Sequence, residues 1–357
     1  MEVKFFNKRG EEVKKKPLKL KWVDFDIKKE FEHFMIKEIY EQPLVSKILI
    51  DSLKTEQSDI VNKFLDEIEK ANKIVFIAAG SSYHSSLMGS RLLRELGYEA
   101  YSVLASEYKD MKYDKNTLII AVSQSGETMD VILALKDLKE RAKKVLSVVN
   151  VPYSTIQRIS DSSLEIKAGP EKCVAATKTY TNQVIAFLYL ANRLGMKVNV
   201  EEIPDEINRT INMNEERVKE IARDLKEERD IFIIGRGINY YSSLEISLKL
   251  KEISYIHAEA LAGGELKHGT LALIEKGTKV LALNPSWDID IKTNIEEVAS
   301  RGGVVYEIPK DFYAKESYPN FSLYSVIVGQ LLTYYTAREK GLPIDYPRNL
   351  AKSVTVK

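Results

Sequence analysis

Hydrophobic positions along the chain follow two alternating patterns, short apolar runs and stretches with apolar residues every three to four positions. The runs at 74–79, 101–104, 118–122 and 145–149, the third of them apolar and β-branched, read as strands of a parallel sheet, with 164–166 as a short edge strand. Helical spacing intervenes from about 80 to Leu96, through Val131, Ile132, Leu133, Leu135 and Leu138, and from Thr177 to Leu194. Upstream, Phe31, Phe34, Met35, Ile39 and Tyr40 mark a helix expected to end near Gln42-Pro43. Residues 44–53 continue with helical spacing, and Ile60, Phe64, Leu65 and Ile68 mark another helix. Strands alternating with helices at this spacing predict a doubly wound parallel α/β unit that closes near Gly195.

The pattern then recurs. Pro204 opens a charged helix running to about Glu228, and a strand at 231–234 leads through Gly235-Arg236-Gly237 into a helix beginning near Tyr240. Gly80 matches Gly237, Tyr83 matches Tyr240, and Ser85-Ser86-Leu87 matches Ser242-Ser243-Leu244. Strands at 280–283 and 304–306 complete a second sheet, and a helix spans about 321–340. Two tandem flavodoxin-like units are the architecture this predicts, the first over 28–200 and the second over 201–340, with a C-terminal tail at 341–357. Residues 1–27 read as a hairpin and linker without a core of their own.

At 357 residues, 44% of them hydrophobic, the chain is long enough for both units. Its 53 basic and 52 acidic residues give no reason to expect a nucleic-acid or membrane surface, and no run approaches the about 18 apolar residues of a membrane span. One cysteine, Cys173, excludes an intrachain disulfide and fits a cytoplasmic location. Four histidines and that cysteine show no metal-ligand spacing, so no metal or other cofactor is expected.

Chemistry concentrates in three places. Ser123-Gln124-Ser125-Gly126-Glu127-Thr128 lies between a strand and a helix, with Glu127 expected in the helix's first turn. Its hydroxyls and backbone N–H groups suit a phosphomonoester, and no lysine follows the glycine as a nucleotide P-loop requires. An ordinary serine N-cap satisfies the same pattern. The second unit has Asn284-Pro285-Ser286 at the corresponding strand end, so one phosphate site is expected for the pair. Glu245, Lys249 and Glu252 share one helix face, either as a solvated ion-pair stripe or as partly covered groups able to move protons. His268 sits in a glycine-flanked loop, and a structural histidine is the alternative to a catalytic one. In the tail, Val354 and Val356 alternate with polar residues as in a short docked strand, whereas polar tails are ordinarily frayed. A lysine there can form a Schiff base with a sugar carbonyl if its surroundings remove its proton.

The stretches 37–43, 80–84, 123–128, 174–178, 248–259, 264–269 and 347–356 together resemble the isomerase half of glucosamine-6-phosphate synthase (glutamine–fructose-6-phosphate aminotransferase), which is built from two sugar isomerase (SIS) domains. The resemblance implies that Ser82, Ser123, Gln124, Ser125 and Thr128 bind the phosphate and hydroxyls of fructose 6-phosphate, with Val174 and Ala351 on the walls of the site. It implies Lys352 as the Schiff-base lysine, Glu252 as the base between C1 and C2, Lys249 as an assistant in proton movement, and Glu245 as a carboxylate nearby. His268 matches the ring-opening histidine, which in the family comes from the neighbouring subunit, so a homodimer with shared sites is implied. The family's N-terminal glutaminase domain has no counterpart here, and residues 1–27 resemble its last strands. An excised domain and a naturally split subunit with a separate glutaminase partner both fit. Ala79, Ala176, Thr270 and Tyr346 depart from the family's usual cysteine, serine, proline and glutamine. The expected activity is conversion of fructose 6-phosphate to glucosamine 6-phosphate with supplied ammonia, or to glucose 6-phosphate without it. A related glucosamine-6-phosphate deaminase and a non-catalytic sugar-phosphate sensor are the alternatives, although a sensor has no use for Glu252, His268 and Lys352 together.

Overall fold

The computed structural model describes residues 11–12 and 31–356, so the expected hairpin at 1–27 lies almost wholly outside the described residues. Two separate parallel sheets follow one another along the chain. The first comprises β1 (Lys73–Ala78), β2 (Ala100–Leu104), β3 (Thr117–Ser123), β4 (Lys144–Val149) and β5 (Ser162–Glu165), in the order β2-β1-β3-β4-β5. The second comprises β6 (Asp230–Gly235), β7 (His257–Ala262), β8 (Lys279–Leu283) and β9 (Val304–Ile308), in the order β7-β6-β8-β9. In each sheet the strand order reverses beside the first strand, and in the first sheet a crevice forms there at the carboxyl ends of the strands. The helices in chain order are α1 (Phe34–Lys54), α2 (Ser58–Glu69), α3 (Gly80–Glu95), α4 (Met129–Leu138), α5 (Thr155–Ile159), α6 (Lys178–Arg193), α7 (Ile203–Leu225), α8 (Ile238–Lys249), α9 (Ile289–Ala299) and α10 (Phe321–Glu339).

The period-two alternation of the strands explains how the two units join. Ile74, Phe76 and Ala78 face a helical layer that also receives Ile231, Ile233, Leu281 and Leu283 from the second sheet. One continuous core therefore runs between the sheets through α1, α3, α6, α7, α8 and α10. The opposite faces are covered separately. Val75 and Ile77 pack with Val131, Leu135 and Leu138 of α4, and Phe232, Ile234, Val280 and Ala282 pack with Ile291 and Val298 of α9.

Several expectations need correction. α1 runs through Pro43 rather than ending there. Proline removes the N–H that would reach the Ile39 carbonyl, and the neighbouring Gln42 side chain donates to that carbonyl instead, at 3.1 Å. Glu127 lies outside the first turn of α4, whose N-cap is Thr128. β7 and α9 carry no strong apolar run and were not expected. Residues 351–356 form no strand, and the tail is tied down by isolated bonds instead.

Candidate active site

At the end of β3 the chain turns sharply, and Gly126 at φ +65° makes the turn possible. The Ser123 hydroxyl accepts from the Gly126 N–H at 3.0 Å and lies 3.0 Å from the Thr128 hydroxyl, while Ser125 accepts from the Glu127 N–H at 3.1 Å. Gly80 (φ +55°) makes the equivalent turn after β1 and starts α3, so Ser81 and Ser82 come to the rim of the crevice. Gln183 of α6 donates to the Ser82 hydroxyl at 3.0 Å and fixes it.

The C-terminal tail closes this crevice. Its Val354 carbonyl accepts from the Met129 N–H at 3.1 Å, and Ser353 meets the Ser125 hydroxyl at 3.1 Å. Farther back, the Tyr255 hydroxyl accepts from the Arg348 N–H at 2.8 Å, and the Arg348 guanidinium lies 4.3 Å from the centre of the Tyr255 ring. The result is a cleft of about 230 Å³ lined by Ser81, Ser82, Gln124, Ser125, Thr128, Val174, Glu252, Ala351 and Lys352, among others. Ser123 lies beneath this lining, buried, and supports it.

The second unit supplies charge. α8 widens into a π-helical turn at Leu250–Ser254, which carries Glu252 to the cleft. Lys249, fully buried, lies 2.5 Å from Glu252 Oε2, 3.4 Å from Glu245 Oε1 and 3.0 Å from the Ser81 hydroxyl. Burial alone would push its pKa down, but the Glu245 and Glu252 carboxylates outweigh this and hold the ammonium form. Glu245 is also fully buried. Burial pushes its pKa up, but Lys249 and then a 2.7 Å contact with His84 of α3 reverse this and keep it ionised. Glu245 and Lys249 therefore sit behind the cleft and do not line it. They tie the helix that starts at Gly80 to its counterpart in the second unit.

Lys352 of the tail also lines the cleft, with Nζ 2.5 Å from Glu171 Oε2. Sequence reading missed Glu171, because a single carboxylate in a loop carries no pattern and its partner lies 181 residues away. Glu171 also accepts from the Thr177 N–H at 3.0 Å, the Thr179 N–H at 3.1 Å and the Thr179 hydroxyl at 2.7 Å. Burial pushes its pKa up, but Lys352 and these donors bring it below the ordinary carboxylate range. Nearby, Glu38 of α1 accepts from the Lys172 N–H at 2.5 Å. Its own burial, and then the Glu171 charge, push its pKa up to about 8. Cys173 is buried, and the same burial raises its pKa, so it is a packed thiol rather than a nucleophile. His268 is exposed and does not line the cleft. Among the described residues no group of acids, histidines and cysteine is arranged to hold a metal, and no helix is long and apolar enough to cross a membrane.

The description of the SIS domain family matches residues 67–193 and 224–309. A glutamine–fructose-6-phosphate aminotransferase (isomerizing) of Clostridium tetani is 41% identical over 99% of this chain and 64% of its own length. One from Thermococcus kodakarensis is 41% identical over 97% of this chain and 62% of its own length. The chain thus spans less than two thirds of the curated relatives it matches. Among solved structures, the C-terminal domain of glucosamine-fructose-6-phosphate aminotransferase from Francisella tularensis superimposes with a TM-score of 0.77 and 29% identity. That match covers 89% of this chain and 99% of the other.

Proposed function

The chain belongs to the SIS domain family, and we propose that it is the isomerase part of a glucosamine-6-phosphate synthase, taking fructose 6-phosphate and supplied ammonia to glucosamine 6-phosphate. The observation that carries this reading is a single cleft where a neutral hydroxyl cradle, the Lys352 amine and the Glu252 carboxylate converge. The names of the relatives favour the synthase over the deaminase alternative.

In this reading Ser82, Gln124, Ser125 and Thr128, supported by Ser123, hold the phosphate and neighbouring hydroxyls. A neutral cradle with a helix N-terminus below it suits a monoester dianion. Val174 and Ala351 shape the walls. The Lys352 amine attacks the C2 carbonyl of the open-chain sugar and expels water, giving a protonated Schiff base that acidifies the C1 hydrogens. Glu252 carries a proton between C1 and C2, with its carboxylate held in place by Lys249. Glu245 acts from behind as the anion that keeps Lys249 charged. The exposed His268 opens the sugar ring of a neighbouring subunit's site, which makes a homodimer the functional unit. The enzyme is cytoplasmic, binds no nucleic acid and needs no metal or cofactor.

Product analysis tests this. Fructose 6-phosphate alone should give glucose 6-phosphate, ammonium should divert the product to glucosamine 6-phosphate, and glutamine should yield no amino sugar. Lys352→Ala should abolish both products while sugar-phosphate binding persists. Turnover by that variant would overturn the Schiff-base assignment, and binding without any product from the unaltered chain would favour a sensor.

A further inference from the structure

A lysine cannot attack a carbonyl while it carries its proton, and the hydroxyl it displaces must leave as water. Lys352 needs a group that handles those two transfers. Glu252 and Lys249 are engaged with each other at 2.5 Å and serve the C1–C2 side.

Resting on that reading, we propose that Glu171 is the catalytic proton partner of Lys352. It takes the ammonium proton as the amine is released for attack on C2. After the nitrogen's own proton has moved to the former carbonyl oxygen, Glu171 returns its proton to that hydroxyl, and water leaves. The products are the iminium on Lys352 and a Glu171 carboxylate beside it, so one proton passes from Lys352 through Glu171 into the departing water and charge balances at each stage.

Three features of the structure support this role. The contact is direct, at 2.5 Å between Nζ and Oε2, with the carboxylate side chain fully buried. The carboxylate is held immobile by both backbone and hydroxyl donors from Thr177 and Thr179. Burial opposes ionisation of Glu171, and the charge of Lys352 is the largest factor favouring it. When the proton leaves Lys352 that charge leaves with it, and the carboxyl becomes a better home for the proton.

The stretch at 37–43, to which the mechanism otherwise assigns no task, then has one. Glu38 grips the Lys172 N–H, Glu41 pairs at 2.7 Å with the buried Lys178, and Gln42 donates to Gln330 at 2.9 Å and accepts from the Thr181 hydroxyl at 2.5 Å. Together these bonds fasten the loop and the start of α6 that present Glu171. Glu38 and Glu41 are positioning residues.

The test is borohydride reduction of the adduct formed with fructose 6-phosphate, located by peptide mass spectrometry. In the unaltered chain the adduct should map to Lys352. Glu171→Gln should slow trapping and kcat by about 10²-fold, with KM and fructose 6-phosphate affinity unchanged because the cradle is intact. A merely structural defect would lower fructose 6-phosphate affinity as well. Glu171→Asp withdraws the carboxylate without removing it, and should trap more slowly than the unaltered chain but faster than Glu171→Gln. If Glu171→Gln does not fold, Glu171→Asp against the unaltered chain decides. Trapping at the unaltered rate in either variant overturns this inference alone. Absence of any adduct at Lys352 in the unaltered chain overturns the Schiff-base reading beneath it.

Discussion

Replacing Gly126 with alanine tests the construction of the phosphate cradle. The residue sits at φ +65°, where an L side chain costs about 1–2 kcal/mol. A Cβ there would also lie 2.0 Å from Ser154 Oγ and 2.4 Å from Ser154 Cβ. Ser154 cannot retreat cheaply, because the start of α5 is stitched to this turn. The Ile156 N–H donates to the Gly126 carbonyl at 3.0 Å, and the Thr155 N–H donates to Glu127 at 2.7 Å. Overpacking of this kind adds about 1–3 kcal/mol, so Gly126→Ala should cost about 2–5 kcal/mol in total. The movement would also disturb Ser125 and Thr128, so fructose 6-phosphate affinity should fall as stability falls. Urea unfolding followed by circular dichroism, with calorimetric titration of the sugar phosphate, measures both. Adding Ser154→Gly removes the obstructing atoms and should recover the steric part while leaving the backbone cost. A Gly126→Ala variant losing less than about 1 kcal/mol would refute the conformational argument. Failure of Ser154→Gly to recover any stability would refute the steric one.

Two further predictions follow from the buried charges. Lys249→Met leaves Glu245 without its cation and should destabilise the chain by about 3–5 kcal/mol; adding Glu245→Gln should restore part of the loss, and urea unfolding of the three variants checks this. Glu38 binds its proton more tightly when folded, so its contribution to stability is full below its ordinary value of 4.5 and is lost as pH rises through about 8. Glu38→Gln should therefore flatten the decline in melting temperature between those limits, and parallel curves for the two proteins would show that Glu38 is not the titrating group.

The sequence disclosed local regularities well and distant partnerships poorly. β1, β3 and β4 were legible because strands covered by helices on both faces read as continuous apolar runs. The 123–128 turn was legible because its hydroxyls sit at a change of period. β7 was not, since His257-Ala258-Glu259-Ala260-Leu261-Ala262 lies at a sheet edge and mixes small, polar and charged residues. The helix through Pro43 depends on Gln42 supplying a side-chain donor, which propensity does not register. The cradle, Glu252 and Lys352 were placed in one site only through the family resemblance, and the structure brings them to one cleft. Glu171 was invisible because its significance lies wholly in what the fold puts against it.

The two repeated turns show why a duplicated unit presents one cleft of this kind. Gly80 and Gly237 have nearly the same φ, +55° and +54°. After Gly80 come Ser81 and Ser82 at the rim, whereas after Gly237 come Ile238 and Asn239, both buried. At the end of β8 the Asn284 side chain donates to Glu307 at 2.7 Å, and the Ser286 N–H donates to Glu316. Donors that could have met a phosphate are thus already taken by carboxylates, whose charge would repel a dianion. The second copy instead offers its α8 face to the first, where Glu245 reaches His84 and Lys249 reaches Ser81. Two equivalent clefts would need that same helix face both to line one crevice and to supply charge to the other. The repeat is therefore asymmetric, with the hydroxyl-rich turn in the first copy and the Glu245, Lys249 and Glu252 charges in the second.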